Sequence, residues 1–187
     1  MYLKLGGIQN GNKNIKMKNK DLIFDLMQNS VVGAIAFHSF VLGYHNIAKH
    51  KENNNLKYPP INYFFFVLPI VYNEEAMETF KSSNELYSVL LKNKQIILEL
   101  QNRANKMIPK TFSSLNMAFS KKILLLNVEQ KTVELPEGFQ SKKLALPLSM
   151  SSDNNSVKKI QNCAFKLGSI FAKRNSASIQ SELNILF

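Results

Sequence analysis

The chain has 187 residues, 45% of them hydrophobic, thirteen Phe, a single Cys and a formal net charge of +11. That length suits one domain with a sizeable core, and one cysteine excludes an intramolecular disulfide. The positive balance invites an anionic partner, although a composition so rich in Lys and Asn weakens the inference, because lysine-rich surfaces are commonly just solvated.

Residues 1–20, MYLKLGGIQNGNKNIKMKNK, read as a basic flexible arm without the apolar run of a secretory signal. Residues 21–187 are expected to form one compact domain. In DLIFDLMQNS, Leu22, Ile23, Leu26 and Met27 repeat at helical spacing, and Asn29 and Ser30 are good N-caps for the next element. VVGAIAFHSFVLGYHNIAKH is apolar on nearly every side through Leu42, which predicts a buried helix. Its Gly33, Ala34, Ala36, Ser39 and Gly43 leave room for a second helix to approach closely. KENNNLKYPP is a loop.

INYFFFVLPIVY at 61–72 is the longest apolar run read here, and it falls short of the roughly 20 residues of a membrane-spanning helix. No membrane association and a cytoplasmic location are therefore expected. Its Ile, Val and aromatic content favours a strand, whereas Pro69 opposes a central one, and the reading leans toward a buried helix.

Beyond Asn73, helical periods run over 84–91 and 93–107, and Pro109 opens a further helix over 110–120. KILLLNVEQKTVELPE predicts two strands around a turn at 129–131. This order gives an α+β, mainly α-helical fold with a winged helix-turn-helix-like part at about 84–135 and a β-hairpin around 122–135. The Pro- and Ser-rich stretch 135–156 is a connection, a helix follows over 157–175, and the tail forms a short helix or strand.

Candidates for chemistry are few. His38 and His45 share a helix face but have no carboxylate between residues 26 and 51 to complete a metal site. No phosphate loop, nucleophile elbow or paired-carboxylate site is present in the sequence, so neither catalysis nor a cofactor is expected. Cys163 reads as a small core hydrophobe. Between Lys92 and Lys131, seven lysines and Arg103 stand against Glu99 and Glu129. The nucleic-acid candidates are Arg103, Lys106, Lys110, Asn116, Lys121, Lys122 and Lys131. Helix 110–120 also offers Thr111, Ser113 and Ser114 but no arginine for bidentate contacts to guanine, which favours protein interaction over DNA reading.

Three segments resemble the middle component of bacterial three-component ABC systems. They are NSVVGAIAFHSFVLGY at 29–44, FFFVLPIVYNEE beyond it, and the run from Leu98 to Leu135, in the family's order. The likeness covers about residues 29–135. It implies an accessory subunit that couples an SMC-like ABC ATPase to an effector, in defence against phage or mobile elements, without hydrolysing nucleotide itself. The implied partners are those two subunits, with DNA touched directly or through the complex. The partner-interface candidates are His38, Phe40, Tyr44, Phe65 and Phe66.

Overall fold

A computed structural model describes residues 29–51, 56–92, 94 and 97–186. The expected arm at 1–20 and the helical spacing at 22–27 lie outside the described residues.

The elements run α1 (Ser30–Ala48), a 3-10 turn (Ile61–Tyr63), α2 (Phe64–Val71), α3 (Glu74–Lys81), α4 (Leu86–Lys92), α5 (Leu100–Lys106) and α6 (Ile108–Ser120). They continue with β1 (Leu125–Asn127), β2 (Thr132–Glu134), two further 3-10 turns, α7 (Ser156–Phe171) and α8 (Ser176–Leu183). The fold is mainly helical with a small two-stranded sheet.

Asparagine starts four of these helices. Its side-chain oxygen accepts from Val31 N in α1, Ala76 N in α3, Val157 N in α7 and Ser178 N in α8, at 2.8–2.9 Å. Each such cap satisfies an amide that the first turn cannot, and is worth about 1 kcal/mol.

α1 is the axis of the molecule. It packs most extensively on α7, next on α6, and also on α2. Phe37, Phe40, Val41 and Leu42 are almost wholly enclosed. Rings interlock edge-on around it: Phe40 meets Phe64 at 5.5 Å and Phe171 at 5.7 Å, and Phe37 meets Phe64 at 5.1 Å. These geometries suit the aromatic quadrupole.

The α1–α7 crossing is backbone against backbone. A Cβ at Gly43 would overlap the Phe165 carbonyl, and one at Gly168 would overlap the Phe40 carbonyl and sit 2.9 Å from Tyr44 N. Ser169 Oγ donates to the Gly43 and Phe165 carbonyls at 3.2 and 3.1 Å. The small residues of α1 thus do admit close neighbours.

The run at 61–72 is helical. Pro60 enters it in extended form and bridges Thr132 of β2. Ile61 N donates to Lys131 O and Val133 N donates to Pro59 O, both at 3.0 Å. Pro69 removes only the amide that would bond the Phe65 carbonyl, and α2 ends two residues later.

By length and composition Ser30–Ala48 is a candidate membrane span, which the reading of 61–72 as the longest apolar run overlooked. Here most of it is covered by protein. β1 and β2 pair antiparallel with Leu126 opposite Val133, around a turn at 128–131. α7 ends at Phe171, short of the expected 175, and the tail becomes α8.

Replacing Gly43 or Gly168 by Ala should destabilise the fold by about 1–3 kcal/mol despite the better helix propensity of Ala, because the obstacle is backbone. Gly138→Ala, which meets nothing within 4 Å, should be near neutral. Urea midpoints measure both. A Gly43→Ala midpoint equal to that of the parent would remove the close crossing.

Candidate functional site

Of the interface candidates on α1 and α2, His38 and Phe40 are 0% exposed, and Tyr44 and Phe66 are also buried. Only Phe65 reaches the surface, half-buried, with its ring 5.4 Å from that of Phe112 on α6. The motif that carries the family resemblance is therefore mostly interior packing.

His38 stands edge-on to Phe139 at 5.7 Å, and neither ring nitrogen has a hydrogen-bond partner among the described residues. Burial pushes its pKa down to about 4, so the ring is held neutral. His45 stacks on Tyr58 at 4.6 Å, and its Nδ1 lies 3.2 Å from the Lys57 carbonyl, so Nδ1 carries the donating proton. Burial lowers its pKa, and the bond to Lys57 opposes that shift. The two histidines serve different contacts and share no ligand set; among the described residues no group of three His, Cys, Asp or Glu is placed to hold a metal. Cys163 is buried in α7, and its surroundings push the thiol up to about 12.

The nucleic-acid candidates fall into two groups. Arg103, Lys106 and Lys110 sit where α5 meets α6, whereas Lys121, Lys122 and Lys131 surround the hairpin. Ten residues of α6 lie between Lys110 and Lys121, which puts the two about 16 Å apart along the helix axis. Arg103 and Lys110 are half-buried; Lys106, Asn116, Lys121, Lys122 and Lys131 are exposed. Thr111 and Ser114 of the expected reading helix point inward and are 0% exposed. A Cβ at Gly33 would collide with the Ser114 side chain, so α6 faces α1 there.

Two hairpin lysines occupy left-handed backbone, Lys122 at φ 54° and Lys131 at φ 54°. Lys122 follows α6 in the position usually taken by glycine: Ile123 N bonds the Ala118 carbonyl and Lys122 N bonds the Phe119 carbonyl. A side chain in this conformation costs roughly 1 kcal/mol relative to Gly. Sequence reasoning placed both lysines at the hairpin but had no signal for the strain.

A cleft of about 780 Å³ opens where α1 and α7 end, lined by Lys51, Tyr63, Lys173 and Arg174. Its cations already have partners. Lys173 and Arg174 reach Glu85 at 2.9 and 3.9 Å, Arg174 also faces Glu182 at 3.7 Å, and Lys51 donates to the Ala172 carbonyl at 2.8 Å.

Fold and surface together define a mainly helical protein that encloses most of its motif residues and leaves lysines and apolar side chains outward. The sequence model of the ABC-three component (ABC-3C) system Middle Component 3 matches residues 17–187, and the chain belongs to that family. The match extends past residue 135, where the resemblance ended, to the C-terminus. Neither a curated protein nor a solved structure matches the chain.

Because the folded pKa of His38 lies below its unfolded value near 6.5, the unfolded chain binds the extra proton between those values. The stabilisation is present above pH 6.5 and is lost as pH falls toward 4, by about 3 kcal/mol at most. His38→Leu should flatten this fall in urea midpoints between pH 7 and 4.5. Equal slopes for parent and variant would contradict a neutral buried ring.

Proposed function

We propose that this chain is a non-catalytic coupling subunit, joining the SMC-like ABC ATPase of its three-component system to the effector. It acts in the cytoplasm, in defence against phage or other invading DNA. Membership of the Middle Component 3 family carries this reading, because a middle component works beside other subunits. The burial of His38 and Cys163 supports it, since neither side chain is offered to a substrate. Exposed Tyr87, Leu91, Phe112, Leu125, Leu126 and Val128 support it too, being apolar groups of the kind that partner faces cover.

Co-expression with the other two subunits should yield one complex, and His38→Leu should leave the complete system active in cells. Separate elution of all three proteins would defeat the coupling role, and loss of activity in a folded His38→Leu complex would defeat the non-catalytic one.

A second reading, a DNA-binding winged-helix subunit, is favoured by the helix, helix, hairpin order and by the strained lysines. It expects salt-dependent binding to duplex DNA, measured by fluorescence anisotropy, that weakens with Lys121→Glu and Lys122→Glu together. Lys122→Gly should then raise stability by about 1 kcal/mol while lowering affinity. Negligible binding at low salt by parent and variants alike removes this reading.

A further inference from the structure

The outer edge of β1 is unpaired, and the hydrogen bonds of the hairpin fix which groups it presents. Val133 N donates to the Pro59 carbonyl and Ile61 N to the Lys131 carbonyl, both at 3.0 Å, so residues 59–61 run along the side of β2 away from β1. Backbone groups alternate in direction along a strand, so Thr132 and Glu134 turn theirs toward β1. The register pairs Leu125 with Glu134, Leu126 with Val133 and Asn127 with Thr132, so Leu125 and Asn127 make the bonds to β2. The N–H and C=O of Leu126 point the other way, and among the described residues no further strand lies there.

The side chains beside this edge are apolar. Leu125, Leu126 and Val128 are 47%, 44% and 74% exposed. Cations bracket them. Lys121 and Lys122 precede β1, and Lys131 stands across the 128–131 turn from Val128. All three are exposed, and no ion pair engages them among the described residues. Glu134 already accepts from Asn127 and Thr132, at 2.9 and 3.3 Å, which leaves Glu129 as the exposed acid of the hairpin. Lys122 and Lys131 also hold left-handed backbone that glycine would adopt without cost. Strain kept at two basic positions of one hairpin marks their charge as used. Lysines beside an edge are an ordinary guard against aggregation, but three exposed apolar side chains between them undo that guard.

We propose that the outer edge of β1 docks an extended segment of a partner subunit. The segment adds as a further strand at Leu126, covers Leu125, Leu126 and Val128 with apolar residues, and carries acids for Lys121, Lys122 and Lys131. The inference rests on the coupling role and gives it a location and a partner chemistry. The edge selects the form of the occupant: an extended chain matches an outward N–H and C=O, whereas a helix bonds its own backbone internally. Charge then selects among extended chains. Residues 1–28 of this chain carry five lysines against two aspartates and so bring like charge to the site. A second copy added antiparallel at Leu126 would set Lys121 of one chain against Lys131 of the other. Nucleic acid would match the lysines and leave Leu125, Leu126 and Val128 uncovered.

The test uses the full chain co-expressed with both partner subunits and treated with nuclease. Leu126→Pro removes the outward N–H without taking a bond from the β1–β2 ladder. It should weaken binding of one subunit by roughly 10- to 100-fold. Val128→Ser, and separately Lys121→Glu with Lys122→Glu, should each weaken the same binding by roughly 10-fold, while Tyr87→Ser on α4 leaves it unchanged. Thermal midpoints check that each variant folds, and the serine and glutamate variants decide if Leu126→Pro does not. A photo-crosslinking residue at position 128 should capture a partner segment with apolar residues at alternate positions and acids beside them. Crosslinks to residues 1–28 of the same chain, to a second copy or to nucleic acid would overturn the proposal. Unweakened assembly by every folded variant would also overturn it and leave the coupling role standing, whereas failure of the parent chain to assemble would remove both.

Discussion

The contact between α1 and α7 at Gly43 and Gly168 sets the geometry that the rest of the molecule follows. Because the two backbones touch, the side chains on either side of the crossing project past it and meet other elements. Phe40 reaches both Phe64 and Phe171, and Phe37 closes on Phe64. A wider crossing would open voids around these rings, each carrying several kcal/mol of cavity cost. Gly33 repeats the device toward α6 with a softer neighbour, a serine side chain, which can shift where a carbonyl cannot.

A helix wrapped on all sides also encloses whatever polar groups its sequence carries. His38 and Ser39 are 0% exposed, and among the described residues neither His38 ring nitrogen nor Ser39 Oγ has a partner. Thr111 and Ser114, where α6 faces α1, are unpartnered in the same way. Leaving such groups unbonded is destabilising, and the enclosing apolar contacts must outweigh it. The region richest in recognisable motif is therefore a scaffold, and the exposed apolar side chains lie at its periphery, among them Tyr87, Leu91 and Phe112 and, at the hairpin, Leu125, Leu126 and Val128.

Much of this architecture was legible in the sequence. An apolar run on every side marks α1, Asn29 marks its start, Pro109 marks the first turn of α6, and the polar turn between apolar flanks marks the hairpin. Facing was harder. Thr111 and Ser114 look like a reading face because small hydroxyls suit DNA, yet small hydroxyls also suit a helix that must lie close to Gly33. His38, Phe40, Tyr44 and Phe66 look like partner contacts because aromatic residues serve cores and interfaces equally. For residues 61–72, local propensity could not decide between strand and helix: Pro60 does pair with Thr132 beside β2, and the helix begins only after it. The left-handed lysines had no sequence signature, since glycine or asparagine is the usual mark of such a turn.

The central claim is that α1 is interior architecture and the partner faces lie elsewhere. Hydrogen–deuterium exchange of the chain, alone and in the assembled complex, tests it most directly. The account predicts that the α1 amides between Gly33 and Tyr44 exchange only through global unfolding in the isolated chain and do not slow further through local contacts on assembly. Rapid exchange of these amides in the free protein, slowed when the partners bind, would make α1 an interface helix and contradict the account.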